Sequence, residues 1–100
     1  MEIRSEKQEL NSVVLFLSGQ LDTNSASRLE LELKPLVKSA TDIILDFKDI
    51  SYISSSGLHV LLQAHKQMSR KKRKLVIRNI GESVRDVFEM TGFINLITLE

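Results

Sequence analysis

Three consecutive hydroxyls, Ser54, Ser55 and Ser56, run into Gly57 within the stretch "SYISSSGLHV". An apolar helical pattern begins at the next residue, so the serines stand at a strand-to-helix junction. That placement admits three chemistries. A single serine oxygen can cap the first turn of a helix, and Gly57 would permit a tight turn there. A nucleophile is the second use. The nucleophile elbow has the form G-x-S-x-G and needs a base, whereas this chain has only the trailing glycine. Its only imidazoles are His59 and His65. Nothing near His59 in the sequence orients it, and His65 falls on the apolar stripe of the helix. The third use is as a phosphoacceptor. A serine at a helix N-terminus meets the positive end of the helix dipole and its free N–H groups. A phosphate there adds roughly −1.5 to −2 charges, which the helix end accommodates and a docked partner would not.

A second polar stretch, "GQLDTNSAS", offers Asp22, Thr23 and Asn24 as N-caps of another helix. Asp22 either caps that helix or stands beside Ser55, where it would accept a hydrogen bond from the hydroxyl or contribute to a docking rim. Asp46, in an apolar stretch, has no partner visible in the sequence. The run Arg70–Lys74, "RKKRK", reads as the solvated, cationic end of a helix rather than a nucleic-acid patch. No metal site is expected: cysteine is absent, and the two histidines are six residues apart on different helix faces.

The elements that position these residues follow from hydrophobic period. Met1–Lys7 is weakly strand-like, and Asn11 and Ser12 turn the chain into the apolar run Val13–Leu17, making a hairpin. Gly19 breaks the pattern. Leu29, Leu33, Leu36 and Val37 then recur on one helical face, with Pro35 predicting a kink or an early end. Ile43–Phe47 is a short strand that leads through Lys48, Asp49 and Ile50 to the serines. Leu58, Leu61, Leu62, His65 and Met68 mark the second helix. Leu75–Ile80 is the next strand, and Gly81 and Ser83 introduce a third helix with Val84, Val87, Phe88 and Thr91 on one face and Gly92 as its C-cap. "FINLITL" closes as a short strand. The order β-β-α-β-α-β-α-β implies a mainly parallel sheet with right-handed crossovers. Functional groups in such sheets gather at the carboxyl ends of the strands, where "GQLDTNS" and "ISSSG" both lie.

Composition bounds the rest. One hundred residues with 42% hydrophobic and 27% charged residues make one globular domain with an aliphatic core, since aromatics are only 5%. A formal net charge of +1 argues against general attraction to nucleic acid or anionic membrane. Without cysteine there is no disulfide or thiol chemistry, which fits a reducing compartment. The N-terminus lacks an apolar h-region, and no apolar run approaches the ~20 residues of a membrane-spanning helix. A cytoplasmic protein is expected.

"DISYISSSGLHVLL" resembles the signature of bacterial anti-sigma-factor antagonists, the STAS domain. "GQLDTNSA", Gly19 to Ala26, is similar to the family's Gly-x-Leu-Asp stretch, and "VRDVFEMTGF", Val84 to Phe93, to its last helix and terminating glycine. The resemblance covers nearly the whole chain in order. It implies a single STAS domain over residues 1–100, an α/β fold with a four- to five-stranded, mixed but mainly parallel sheet and about three helices. It also implies a regulatory binding module, not an enzyme, with no cofactor of its own. The implied phosphoacceptor is Ser55, with Asp22, Ser54, Ser56 and Gly57 shaping the partner-binding rim. The implied partners are an anti-sigma factor that is also a GHKL-type serine kinase, and a PP2C-type phosphatase that resets the switch. Ser54 stands where the family has Asp. That departure leaves open a STAS scaffold or transport-associated module that binds without a phosphorylation switch.

Overall fold

The computed structural model describes residues 1–39 and 41–100. Its elements run β1 (Glu2–Glu9), β2 (Ser12–Leu21), α1 (Thr23–Lys38), β3 (Asp42–Ile53), α2 (Ser55–Arg70), β4 (Leu75–Arg78), α3 (Glu82–Thr91), a 3-10 turn (Phe93–Asn95) and β5 (Thr98–Leu99). The five strands lie side by side in chain order, β1 antiparallel to β2 and the rest parallel. The radius of gyration is 12.2 Å.

Strands in chain order, joined by right-handed crossovers, place every crossover helix on the same face of the sheet. Burial agrees. Leu15 and Leu17 of β2, Ile43, Leu45 and Phe47 of β3, and Leu75 and Ile77 of β4 join Leu29, Leu33, Leu61, Met68 and Phe88 in one core. Phe88 packs edge-on against Phe93 with ring centroids 5.0 Å apart and tilted against Phe47 at 6.5 Å, so these three aromatics cluster beneath α3. Alternate strand residues point to the opposite face. There the register aligns Phe16 with Asp46 and Asp46 with Arg78.

Asp46 thereby has the partner that its own neighbourhood in the chain did not reveal. Its carboxylate accepts from the Lys48 N–H at 2.9 Å, Arg78 Nε at 3.0 Å and Asn79 Nδ2 at 3.1 Å. Burial works to raise its pKa, but these donors and the Arg78 charge prevail and hold it below the ordinary carboxylate value.

Several expected boundaries move. α1 continues through Pro35 to Lys38. Pro35 is solvent-exposed, so the bond it cannot donate is lost on the wet side of the helix, while Leu33 and Val37 stay buried beneath. β2 runs through Gly19 to Leu21, because Gly19 takes φ +100° inside a bulge against β3. β3 extends to Ile53, not Phe47, since β2 offers a ladder partner as far as Leu21. β4 stops at Arg78, because Asn79 adopts φ 60° and turns the chain. Only Thr98–Leu99 of the last segment is strand, and its beginning is the 3-10 turn. The buried stripe of α2 is Val60, Leu61, Ala64 and Met68; Leu58, Leu62 and His65 are half-buried at its flank. Gly92 caps α3 in the left-handed conformation at φ 78°, as its position predicts.

Candidate functional site

β2 and β3 are parallel neighbours paired to their last residues, Leu21 with Ile53. Their carboxyl ends therefore release the chain at the same level, and the two helices that follow start side by side. The Ser54 N–H donates to the Leu21 carbonyl at 2.9 Å and ties one junction to the other. Gly57 is required by this closeness. A Cβ on it would lie 2.7 Å from Leu21 Cγ and 2.9 Å from the Leu21 oxygen, so any side chain would force α2 away from the end of β2.

The three serines have separate places. Ser54 is the N-cap of α2, extended at φ −91° and ψ 170°, and its Oγ accepts the Gly57 N–H at 3.1 Å. Ser56 is half-buried, and its Oγ lies 3.3 Å from Oγ1 of Thr23, the first residue of α1. Ser55 is the first residue of α2 and is exposed; its hydroxyl has no hydrogen-bond partner among the described residues. The Ser55 and Ser56 N–H groups belong to the open first turn, which has no intrahelical acceptor for them. Ser55 thus carries a free oxygen at the positive end of a helix 16 residues long.

Asp22 stands on the same rim but serves its own helix. Its carboxylate accepts the Ser25 N–H and lies within hydrogen-bond distance of the Ser25 hydroxyl, each at 3.0 Å, and the Asp22 N–H donates to Ser25 Oγ at 2.8 Å. This is a capping box. The bonds from the Ser25 backbone and then its side chain hold the Asp22 carboxyl below its usual pKa. Asp22 and Ser55 share the rim without a hydrogen bond between them. The link across the rim is Thr23 to Ser56 instead. Ser25 is buried, and its one hydroxyl proton is shared between Asp22 and the Gln20 carbonyl, which lies 2.7 Å from Oγ, so it anchors the loop. Its spacing three residues after Asp22 was the sequence signal for this role.

Two grooves flank Ser55. One, of 240 Å³, lies between α2 and the α3–3-10 segment, walled by Leu58, Leu62, Phe93 and the exposed Leu96. The other, of 410 Å³, lies between the first turns of α1 and α2. Neither histidine hydrogen-bonds to a serine among the described residues, so no nucleophile–base pair is formed. Among those residues, no group of three or more metal-ligating side chains converges. No helix described is long and apolar enough to cross a membrane. The cations of Arg70–Lys74 lie at the far end of α2. There Arg73 Nε stands 3.1 Å from Asp42, and Lys71 Nζ donates to the Lys38 carbonyl at the end of α1.

The family model of the STAS domain matches residues 3–100. The chain belongs to the STAS domain family. The anti-sigma-B factor antagonist of Bacillus subtilis is similar to this STAS domain, 30% identical over 93 residues, covering 93% of this chain and 85% of the relative. Among solved structures, the anti-sigma factor antagonist SpoIIAA in its unphosphorylated form superposes with a TM-score of 0.85 at 22% identity, over 99% of this chain and 88% of that one. The phosphorylated form of the Bacillus cell fate determinant SpoIIAA gives 0.79 at 20% identity, over 99% and 91%. These two show that the STAS fold is shared.

Proposed function

We propose that this STAS domain, acting as one regulatory unit over residues 1–100, is an anti-sigma-factor antagonist whose binding is switched at Ser55. With Ser55 unmodified, the rim formed by Asp22, Ser54, Ser56 and Gly57 docks an anti-sigma factor that is also a GHKL-type serine kinase. Phosphate on Ser55 ends that association, and a PP2C-type phosphatase restores it. The domain is then a binding protein of the cytoplasm, not an enzyme, and the nucleotide belongs to its partner.

The observation that carries this reading is the division of labour among the three hydroxyls. Ser54 is occupied as the cap and Ser56 is engaged with Thr23, which leaves Ser55 as the exposed, unbonded one. The departure from the family pattern is locally neutral, because Ser and Asp are nearly equal as N-caps. Relatives named as anti-sigma-B factor antagonists support the partner class.

Charge decides the mechanism. The helix end presents unpaired N–H groups and a positive dipole, so a phosphate of roughly −2 charge costs the free domain little. At a docked interface the same dianion must be desolvated, which costs several kcal/mol without a matching cation. The test is reaction with the kinase partner and ATP, read by mass spectrometry. One phosphate is expected on the intact protein and none on Ser55→Ala. Ser55→Asp should bind the kinase at least tenfold more weakly. Phosphate mapped to another serine, or Ser55→Asp binding as tightly as wild type, overturns the reading.

A further inference from the structure

Ser55 and His59 are the two residues common to the walls of both grooves. They stand one turn apart on α2, and both are exposed, so they form the crest that separates the grooves. Residues at i and i+4 of a helix face each other, with Cβ atoms about 5–6 Å apart. We infer that His59 is the counter-ion for phosphate on Ser55, drawing it back along α2 across the mouths of both grooves.

This inference rests on Ser55 being the acceptor under the proposed function. Its geometry is local. The N–H groups of Ser55 and Ser56 open at the end of the helix, while His59 lies one turn toward the C-terminus. A phosphate on Ser55 therefore has backbone donors on one side and an imidazole on the other. An anion followed by a cation four residues later is also the favoured order along a helix. The other ionisable residue lining either groove is Glu30, which faces His59 from α1. As a carboxylate, Glu30 repels a phosphate dianion, so among the described residues lining the two grooves His59 is the one that can offer it a positive charge. Thr91, Phe93 and Leu96, which face His59 from the α3–3-10 side, carry no charge. On α2 itself, the neighbours Ser56, Leu62 and Gln63 are neutral. His59 would thus be a positioning residue: the modified domain presents a phosphate held over the two grooves rather than one swinging freely in water.

The experiment uses the full chain with phosphoserine installed genetically at position 55, so that no kinase is involved. Phosphorus NMR follows the second ionisation of the phosphate against pH. A neighbouring imidazolium stabilises the dianion, so this ionisation should fall about half a pH unit lower than in the same protein carrying His59→Gln. His59→Lys, which keeps a cation at that place, should restore the lower value, and His65→Gln should leave it unchanged. An identical titration in wild type and His59→Gln overturns the pairing. Because the phosphoserine is installed genetically and not by a kinase, that result would leave the acceptor reading standing. Kinase labelling at a different serine would defeat the acceptor reading without touching this measurement.

Discussion

The hydroxyl oxygens of Thr23 and Ser56 stand 3.3 Å apart, although 33 residues separate them in the chain. One opens α1 and the other lies in the first turn of α2, so the two helix N-termini meet on a single rim. That meeting follows from the parallel pairing of β2 and β3 out to Leu21 and Ile53. Behind the rim, Gly57 rests against Leu21, and Ser54 and Asp22 cap their own helices. Ser55 is left facing outward.

The caps predict how the three serines differ in stability. Ser54→Ala removes the acceptor for the Gly57 N–H and should cost about 1 kcal/mol. For a domain of this size that lowers the melting temperature by roughly 4–8 °C. Ser55→Ala should change stability by less than about 0.5 kcal/mol, because its hydroxyl is exposed and unbonded. Calorimetry on the two variants checks this; equal melting temperatures would show that the cap is misassigned.

Gly57→Ala puts a methyl group against Leu21 at the end of β2. Overpacking of this kind costs about 1–3 kcal/mol and should appear as a lowered urea midpoint with an unchanged slope. If the midpoint holds, the two βα junctions are not as closely packed as described.

Asp46 ties the fold to acid. Its folded-state pKa lies below the unfolded value, about 3.9 for Asp, so the ionised form favours the native state. The contribution is complete above that unfolded value and is lost as pH falls through the folded one. Asp46→Asn should therefore be less stable than wild type at neutral pH, and the gap should close in acid below the ordinary Asp range. Denaturation profiles across pH measure it, and a gap that does not narrow would remove the carboxylate from the account.

Pro35 lies inside α1 at an exposed position, where it leaves the helix one bond short. Pro35→Ala should stabilise the protein by about 2–2.5 kcal/mol, the interior-proline penalty less the entropy that proline removes from the unfolded chain. A fall in melting temperature would mean that the proline ring contributes packing that outweighs the lost bond.

Much of this architecture was legible in the chain itself. The alternation of period-2 and period-3.6 apolar patterns determined the order of strands and helices, because each element must bury one face. Gly92 marked the end of α3, since a left-handed C-cap favours glycine. The polar loops "GQLDTNS" and "ISSSG" marked the rim where the two helices start, because short polar residues at helix starts satisfy free N–H groups locally. The extents of β2 and β3 were not legible. A strand continues for as long as a neighbour supplies ladder partners, and that depends on pairing rather than propensity.

The sequence by itself determined that a row of hydroxyls would meet a helix N-terminus beside a second polar loop. Only the tertiary structure decided which hydroxyl is the cap, which bonds to Thr23 and which is left free, for these contacts arise when two distant junctions are brought to one level. The same holds for Asp46, whose donors Arg78 and Asn79 lie 32 and 33 residues away and reach it through the parallel register of β3 and β4. Local chemistry is written in neighbouring residues; the partners a side chain meets across a sheet are set by registry, which only the folded chain contains.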